Sequence, residues 1–209
     1  MATAPPGAAA PIDFYFDFLS SYGYAASLRI EAIAARHGRE VRWHIMLLGV
    51  AVMKVMGLKP LLETPLKGDY VRRDFARYER RHGLELARKL SDPMMDPRPA
   101  ARAFCWVKRH HAGREGAFAH AVFDRYWRLG RDLSQPDEIG ALAAPLGLDE
   151  AGLRQGIDSD EARTDLRDAV AASLDRGVFG SPFVFVDGEP FWGSDRLEQV
   201  DDWLARGGW

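Results

Sequence analysis

Two serines stand side by side in the stretch FYFDFLSSYGYAA, residues 14–26, where an alternating aromatic run gives way to helical spacing. The start of a helix offers N–H groups without intrahelical partners and the positive end of aligned peptide dipoles. A hydroxyl there can cap, its oxygen accepting from a backbone N–H, which is the usual role of serine at a helix start. It can also donate to an anion held at the helix end. A thiolate brought by a ligand is one such anion. Lowering a thiol pKa from about 8.5 by about 2 takes about 2.7 kcal/mol of preferential binding, the order that a charge-assisted hydrogen bond plus a helix end supplies. The chain's one cysteine, Cys105, lies in a later helical stretch, so no dithiol can form at this turn and thiol–disulfide exchange is excluded there.

Other chemistry-bearing residues are less pointed. The six histidines make no metal set: His110 and His111 are adjacent, hence on different helix faces, and the rest are scattered. No metal is expected. No glycine-rich phosphate loop follows a strand, so a nucleotide cofactor is not suggested. Trp106 and Trp192 could stack on an aromatic substrate or, as is commoner, belong to the core. Arg72, Arg73, Arg77, Arg80 and Arg81 form a charged helix face suited to solvent or to a dimer surface.

With 28 Lys+Arg against 30 Asp+Glu the chain carries no basic field of the kind phosphate backbones need, so nucleic acid is not an expected partner. No apolar run approaches the roughly 18 residues of a membrane span. A lone cysteine and a start, MATAPPGAAAP, without the charge and apolar run of a secretory signal lead us to expect a cytoplasmic protein.

The elements that must position the serines follow from periodicity. Residues 1–10 are too poor in large side chains to order and are expected to be a tail. IDFYF reads as a strand; Tyr22, Ala26, Ile30 and Ile33 mark the buried face of a helix that ends near His37-Gly38. EVRWHIMLL reads as a second strand, parallel to the first through a right-handed crossover. Residues 49–176 are helical in pattern, in GDYVRRDFARYERRHG, PAARAFCWVKRHH, GAFAHAVFDRYWRLG, DEIGALAAPLG and DEARTDLRDAVAASLDRG, with Asp158 and Glu161 spaced as a capping box. Strand signals return in FVFV, an Asp187-Gly188 turn and PFW, followed by a helix turning Leu197, Val200 and Leu204 inward. This order predicts an α/β, thioredoxin-like fold with a large all-helical insertion: residues 11–48 and 177–209 as the thioredoxin-like domain, 49–176 as the insertion. GSPF stands where that fold has a cis proline, which makes Pro182 the candidate, and Ser20-Ser21-Tyr22-Gly23 occupies the place of a Cys-x-x-Cys motif.

Together, DFYFDFLSSYGY and VFGSPFVFVDGEPFWGSDR make the chain, from about Ile12 to Leu204, resemble the 2-hydroxychromene-2-carboxylate isomerases and kappa-class glutathione transferases, in the DsbA-like branch of the thioredoxin fold. LKGDYVRRDFARY matches the middle more loosely. The resemblance implies a homodimer that uses glutathione and acts on a small aromatic carboxylate. In this family Ser20 matches the serine that holds the glutathione sulfur, with Ser21 and Tyr22 completing the turn. Ser181, before Pro182, matches the residue whose backbone pairs with the cysteinyl part, Ser194 and Asp195 the pair at the γ-glutamyl end, and Lys67 a basic residue near the glycyl carboxylate. Taken alone, Ser194 and Asp195 equally suit a helix cap.

Three departures from the family pattern stand out: Ser21 where proline is usual, Leu58 where an asparagine is common, and Asp96 as the nearest counterpart of an asparagine-containing segment lining the aromatic pocket, to which Trp192 would also contribute. By resemblance, the thiolate adds to the conjugated system of a chromene carboxylate, the ring opens, a bond rotates and the thiol leaves. Two alternatives stay open: a kappa-type transferase that conjugates glutathione to an electrophile, and a non-catalytic thioredoxin-like binding module.

Overall fold

The computed structural model describes residues 10–209, so the tail expected over 1–10 lies, but for Ala10, outside the described residues. Strand β1 (Ile12–Phe16) leads into helix α1 (Ser21–Arg36) and back to β2 (Val41–Ile45). A helical stretch follows: α2 (Lys67–His82), α3 (Arg98–His110), α4 (Glu115–Phe123), α5 (Pro136–Gly140), α6 (Glu150–Ile157) and α7 (Asp160–Asp175). Then come β3 (Phe183–Val186), β4 (Glu189–Trp192) and α8 (Leu197–Arg206). The sheet order is β2-β1-β3-β4, with β1 parallel to β2 and antiparallel to β3, itself antiparallel to β4. This is the thioredoxin-like arrangement with helices inserted between its two halves.

Alternation along β1 divides the core. Ile12, Phe14 and Phe16 face one way into the larger apolar cluster, while Tyr15 faces the other with Phe183 and Phe185. Phe16 meets Trp43 of β2 but also Phe104 of α3 and Phe123 of α4 at ring distances of 5.1–5.5 Å, so sheet and inserted helices share one core. Each such fully buried ring contributes about 1.5–3 kcal/mol.

Helix α1 begins at Ser21 because Ser20, extended in backbone, caps it, and it ends as Gly38 takes up a left-handed conformation at φ +62°. Tyr22 is only half-buried; Tyr24, Ile30 and Ile33 form the buried face proper. In the β3–β4 hairpin both turn residues, Asp187 and Gly188, have positive φ, as two-residue hairpins require.

The helical segment departs from its sequence pattern in five places. Ser159, not Asp158, caps α7, accepting from the Ala162 N–H at 3.1 Å; Asp158 closes α6 and pairs with Arg102, and Glu161 pairs with His110. Helix α4 widens into a π-helical turn over Asp124–Arg128 as the adjacent Tyr126 and Trp127 both become fully buried. DEIGALAAPLG is helical only to Gly140 before a short 3₁₀ turn at Ala144–Leu146, where Pro145 lacks the N–H to continue. Gly49–Val55 and Leu61–Glu63 are π and 3₁₀ segments that no 3.6 periodicity announces.

Candidate active site

The turn from β1 into α1 is pinned before it reaches the serines. The Ser20 N–H donates to the Asp17 carbonyl at 2.9 Å, and the Phe18 carbonyl accepts from the Trp127 indole at 2.9 Å. The Asp17 side chain is buried and accepts from the backbone N–H groups of Leu19 (2.9 Å) and Leu48 (2.7 Å). Burial pushes its carboxyl up to about 6, and the two N–H donors act the other way. No sequence motif marked Asp17; an acid between Phe16 and Phe18, in an aromatic-rich stretch, is the signal that was there to use.

Ser20 is buried, and its hydroxyl works in two directions. Its oxygen accepts from the Gly23 N–H at 2.9 Å, and its proton goes to the Ser181 carbonyl at 2.8 Å. The Ser181 hydroxyl accepts from the Asp17 N–H at 3.0 Å, and the Ser181–Pro182 peptide is cis, as the sequence pattern anticipates. Gly23 lies so close that a β-carbon there would stand 2.7 Å from the Ser181 hydroxyl oxygen. The cap and the cis-proline loop thus form one unit.

Three N–H groups around it, of Ser21, Tyr22 and Ser181, make no hydrogen bond among the described residues. Ser21 is the first residue of α1, the position where proline is usual because its missing N–H would be unpaired anyway; here serine leaves that donor free. The first turn of α1 holds no acidic residue. An anion at this helix end would therefore meet two free donors and the dipole, with no acidic residue in the helix's own first turn.

The remaining predicted residues divide. The Tyr22 hydroxyl donates to Asp74 of α2 at 2.6 Å; burial first, then Asp74, pushes its pKa up, so it stays protonated and committed to that carboxylate. Asp195 lies in the short turn Ser194–Arg196, which packs against α1. Asp195 is mostly exposed and pairs with Arg196 at 3.0 Å, whereas Ser194 is buried; neither caps a helix through its side chain. Lys67 is exposed at the start of α2, its ammonium unpaired among the described residues. Trp192 meets Phe179 edge-on at 4.9 Å and packs against Gly180, leaving an exposed aromatic surface just before Ser181.

Asp96 and Trp106 make no hydrogen bond to this unit among the described residues. The Asp96 carboxylate is held by Arg98 at 2.6–3.0 Å and its N–H donates to Ser134, and it makes no hydrogen bond to Ser20 or Ser181. Trp106 is buried against Gly152 and Gly156 of α6. Cys105 is buried too, and burial pushes its thiol up to about 12, which leaves it inert at neutral pH. Among the described residues no cluster of three or more His, Cys, Asp or Glu could hold a metal ion, and no helix is long and apolar enough to cross a membrane.

A βαβ unit and a ββα unit joined through helices, with a cis proline against the first helix terminus, place the protein in the thioredoxin class. The chain belongs to the DSBA-like thioredoxin domain family, which it matches over residues 11–205. It is 29% identical to a 2-hydroxychromene-2-carboxylate isomerase of Sphingobium xenophagum over 92% of this chain and 97% of that one. It is 25% identical to the protein of that name from Pseudomonas putida, over 93% and 94%. A solved 2-hydroxychromene-2-carboxylate isomerase superposes with a TM-score of 0.79 at 26% identity, covering 93% of this chain and 94% of the other. These likenesses agree with the resemblance carried by the two terminal motifs.

Proposed function

We propose that the protein is a glutathione-dependent isomerase of the 2-hydroxychromene-2-carboxylate type, acting on a small aromatic carboxylate during aromatic-compound degradation, as a homodimer in the cytoplasm. The observation that carries the reading is the α1 terminus: a buried serine hydroxyl and the free N–H groups of Ser21 and Tyr22 converge where relatives in the thioredoxin class keep a thiol, and this chain has none. The relatives named as isomerases supply the reaction class.

The residues present suit glutathione. Ser181 offers a free N–H and, once Ser20 turns away from it, a carbonyl, the pair needed to bind an extended peptide as an added strand. Asp195 suits an ammonium, and Lys67 a carboxylate. Glutathione, when bound, supplies a thiolate nucleophile that is recovered at the end of the cycle. The protein's part is to stabilise that anion: the Ser20 hydroxyl exchanges a neutral carbonyl for a charged acceptor, a stronger hydrogen bond, while the α1 dipole lowers the thiol pKa. Pro182 shapes the loop that presents Ser181, and Trp192 offers an aromatic surface beside it.

Calorimetric titration with glutathione, followed by product analysis with a chromene carboxylate, tests the reading. Saturable binding and isomerisation with glutathione fully recovered are expected. Net consumption of glutathione into a stable adduct would replace the isomerase by a transferase; no heat and unchanged melting at millimolar glutathione would reject both.

A further inference from the structure

Arg88, in the connection between α2 and α3, is only 7% exposed. A guanidinium so buried calls for a carboxylate, yet it pairs with none among the described residues. Its Nη1 donates to the Pro93 carbonyl at 2.7 Å, its Cζ lies 4.1 Å from the centre of the Tyr126 ring, and its Nε is buried without a hydrogen-bond partner. Beside it opens a cleft of about 210 Å³ whose walls include Arg72, Phe75, Glu79, Lys89 and Leu90. The other charges there are matched: Lys89 pairs with Glu79 at 2.9 Å and Arg72 with Asp69 at 3.2 Å. Asp132 lies within reach of the Arg88 charge but makes no ion pair with it, so the cleft is left with one unpaired cation, one unmet donor and an aromatic wall.

Contacts also link its wall to the β1–α1 turn. Phe75 meets the Tyr22 ring edge-on at 5.1 Å. The Arg88 N–H donates to the Trp127 carbonyl at 3.1 Å, and the Trp127 indole in turn holds Phe18, two residues before Ser20.

We propose that this cleft is an aromatic-carboxylate subsite in which Arg88 binds the carboxylate of the substrate, with Phe75 against its ring; as a statement about turnover this rests on the isomerase reading above. The volume is below the roughly 300–1,000 Å³ of sites for drug-sized ligands, which suits a small ring acid rather than a nucleotide or peptide. Asp96, the sequence's candidate for the substrate pocket, is a poor one for this ligand: its charge has the wrong sign, and Arg98 already holds it.

Benzoate, titrated without glutathione and followed by calorimetry, probes the subsite directly. The wild type should bind it saturably, and Arg88→Met, which keeps much of the packing on Tyr126 but no charge, should weaken it about tenfold or more. Absent saturable binding in the wild type, or equal binding by R88M, overturns the proposal. Should R88M fail to fold, the ¹⁵N-labelled wild type decides: an arginine Nε–H resonance must shift on saturation with benzoate, and none shifting overturns it. In turnover, R88M should raise KM for the acid about tenfold or more while leaving glutathione affinity and the methyl ester's KM unchanged. Equal losses for acid and ester would mark Arg88 as structural and overturn the proposal. Arg88-dependent benzoate binding in a protein that isomerises nothing would instead reject the enzyme reading and leave the subsite standing.

Discussion

Ser20 spends one hydroxyl on two partners, so replacing it has two separable effects. Ser20→Ala removes the cap on Gly23 and the bond to Ser181, and should cost about 1–2 kcal/mol of stability, read as a lowered urea midpoint. In the isomerase reading it should also lower kcat/KM by about 10- to 100-fold, the weight of a hydrogen bond to a charged acceptor; full activity would shift the donor role to Ser21. Gly23→Ala tests the crowding beside it. Alanine favours a helix over glycine by about 1 kcal/mol, yet the new β-carbon would press on the Ser181 hydroxyl, so a lower melting temperature is expected and a rise would refute the close approach. Residues of this kind were legible because caps and X-Pro turns are local: the serine pair and Pro182 stand out within a few positions of chain. Arg88 was not, and Asp17 only through its place between two phenylalanines, since what makes them unusual is set mostly by Trp127, Tyr126 and Leu48, which only folding brings near.

At the level of elements, Asp17 is the tie between the β1–α1 turn and the π-helical stretch that follows β2. Its carboxyl rises from 3.8 to about 6 on folding because burial disfavours the charge. The sign follows from linkage: its favourable contribution is complete below pH 3.8 and is lost as the pH rises through about 6. Relative to Asp17→Asn, which does not titrate, the wild type should therefore gain about 2 kcal/mol between about pH 7.5 and pH 4. Urea unfolding of both proteins at the two pH values checks this, and a difference independent of pH would refute it. The β-rich ends were readable because alternation, a glycine turn and an amphipathic last helix leave strong periodic marks. The middle blurred where the chain left the 3.6 period, at Gly49–Val55 and Asp124–Arg128, and where Ser159 competed with Asp158 for one cap.

Across the whole molecule, the stretch after β2 leaves Met53, Val55, Met56, Leu58, Leu61 and Tyr70 exposed, and Leu66 is 92% exposed at a positive φ. So much apolar surface in one segment is the mark of a contact face, and it supports the homodimer in the proposed reading. Leu66→Asp should shift the protein toward monomer in sedimentation; a wild type that sediments as a monomer would reject the dimer itself. The hydrogen bond from Ser20 to Ser181 spans 161 positions of sequence. Neither half of the chain therefore owns the site: a fragment ending in the helical insertion carries the hydroxyl without the carbonyl it needs, and the complementary fragment carries the carbonyl alone. In the glutathione-dependent reading, two such pieces, expressed apart and mixed, would bind glutathione only on reassociating, which would make the split protein a ligand-reported sensor of their meeting.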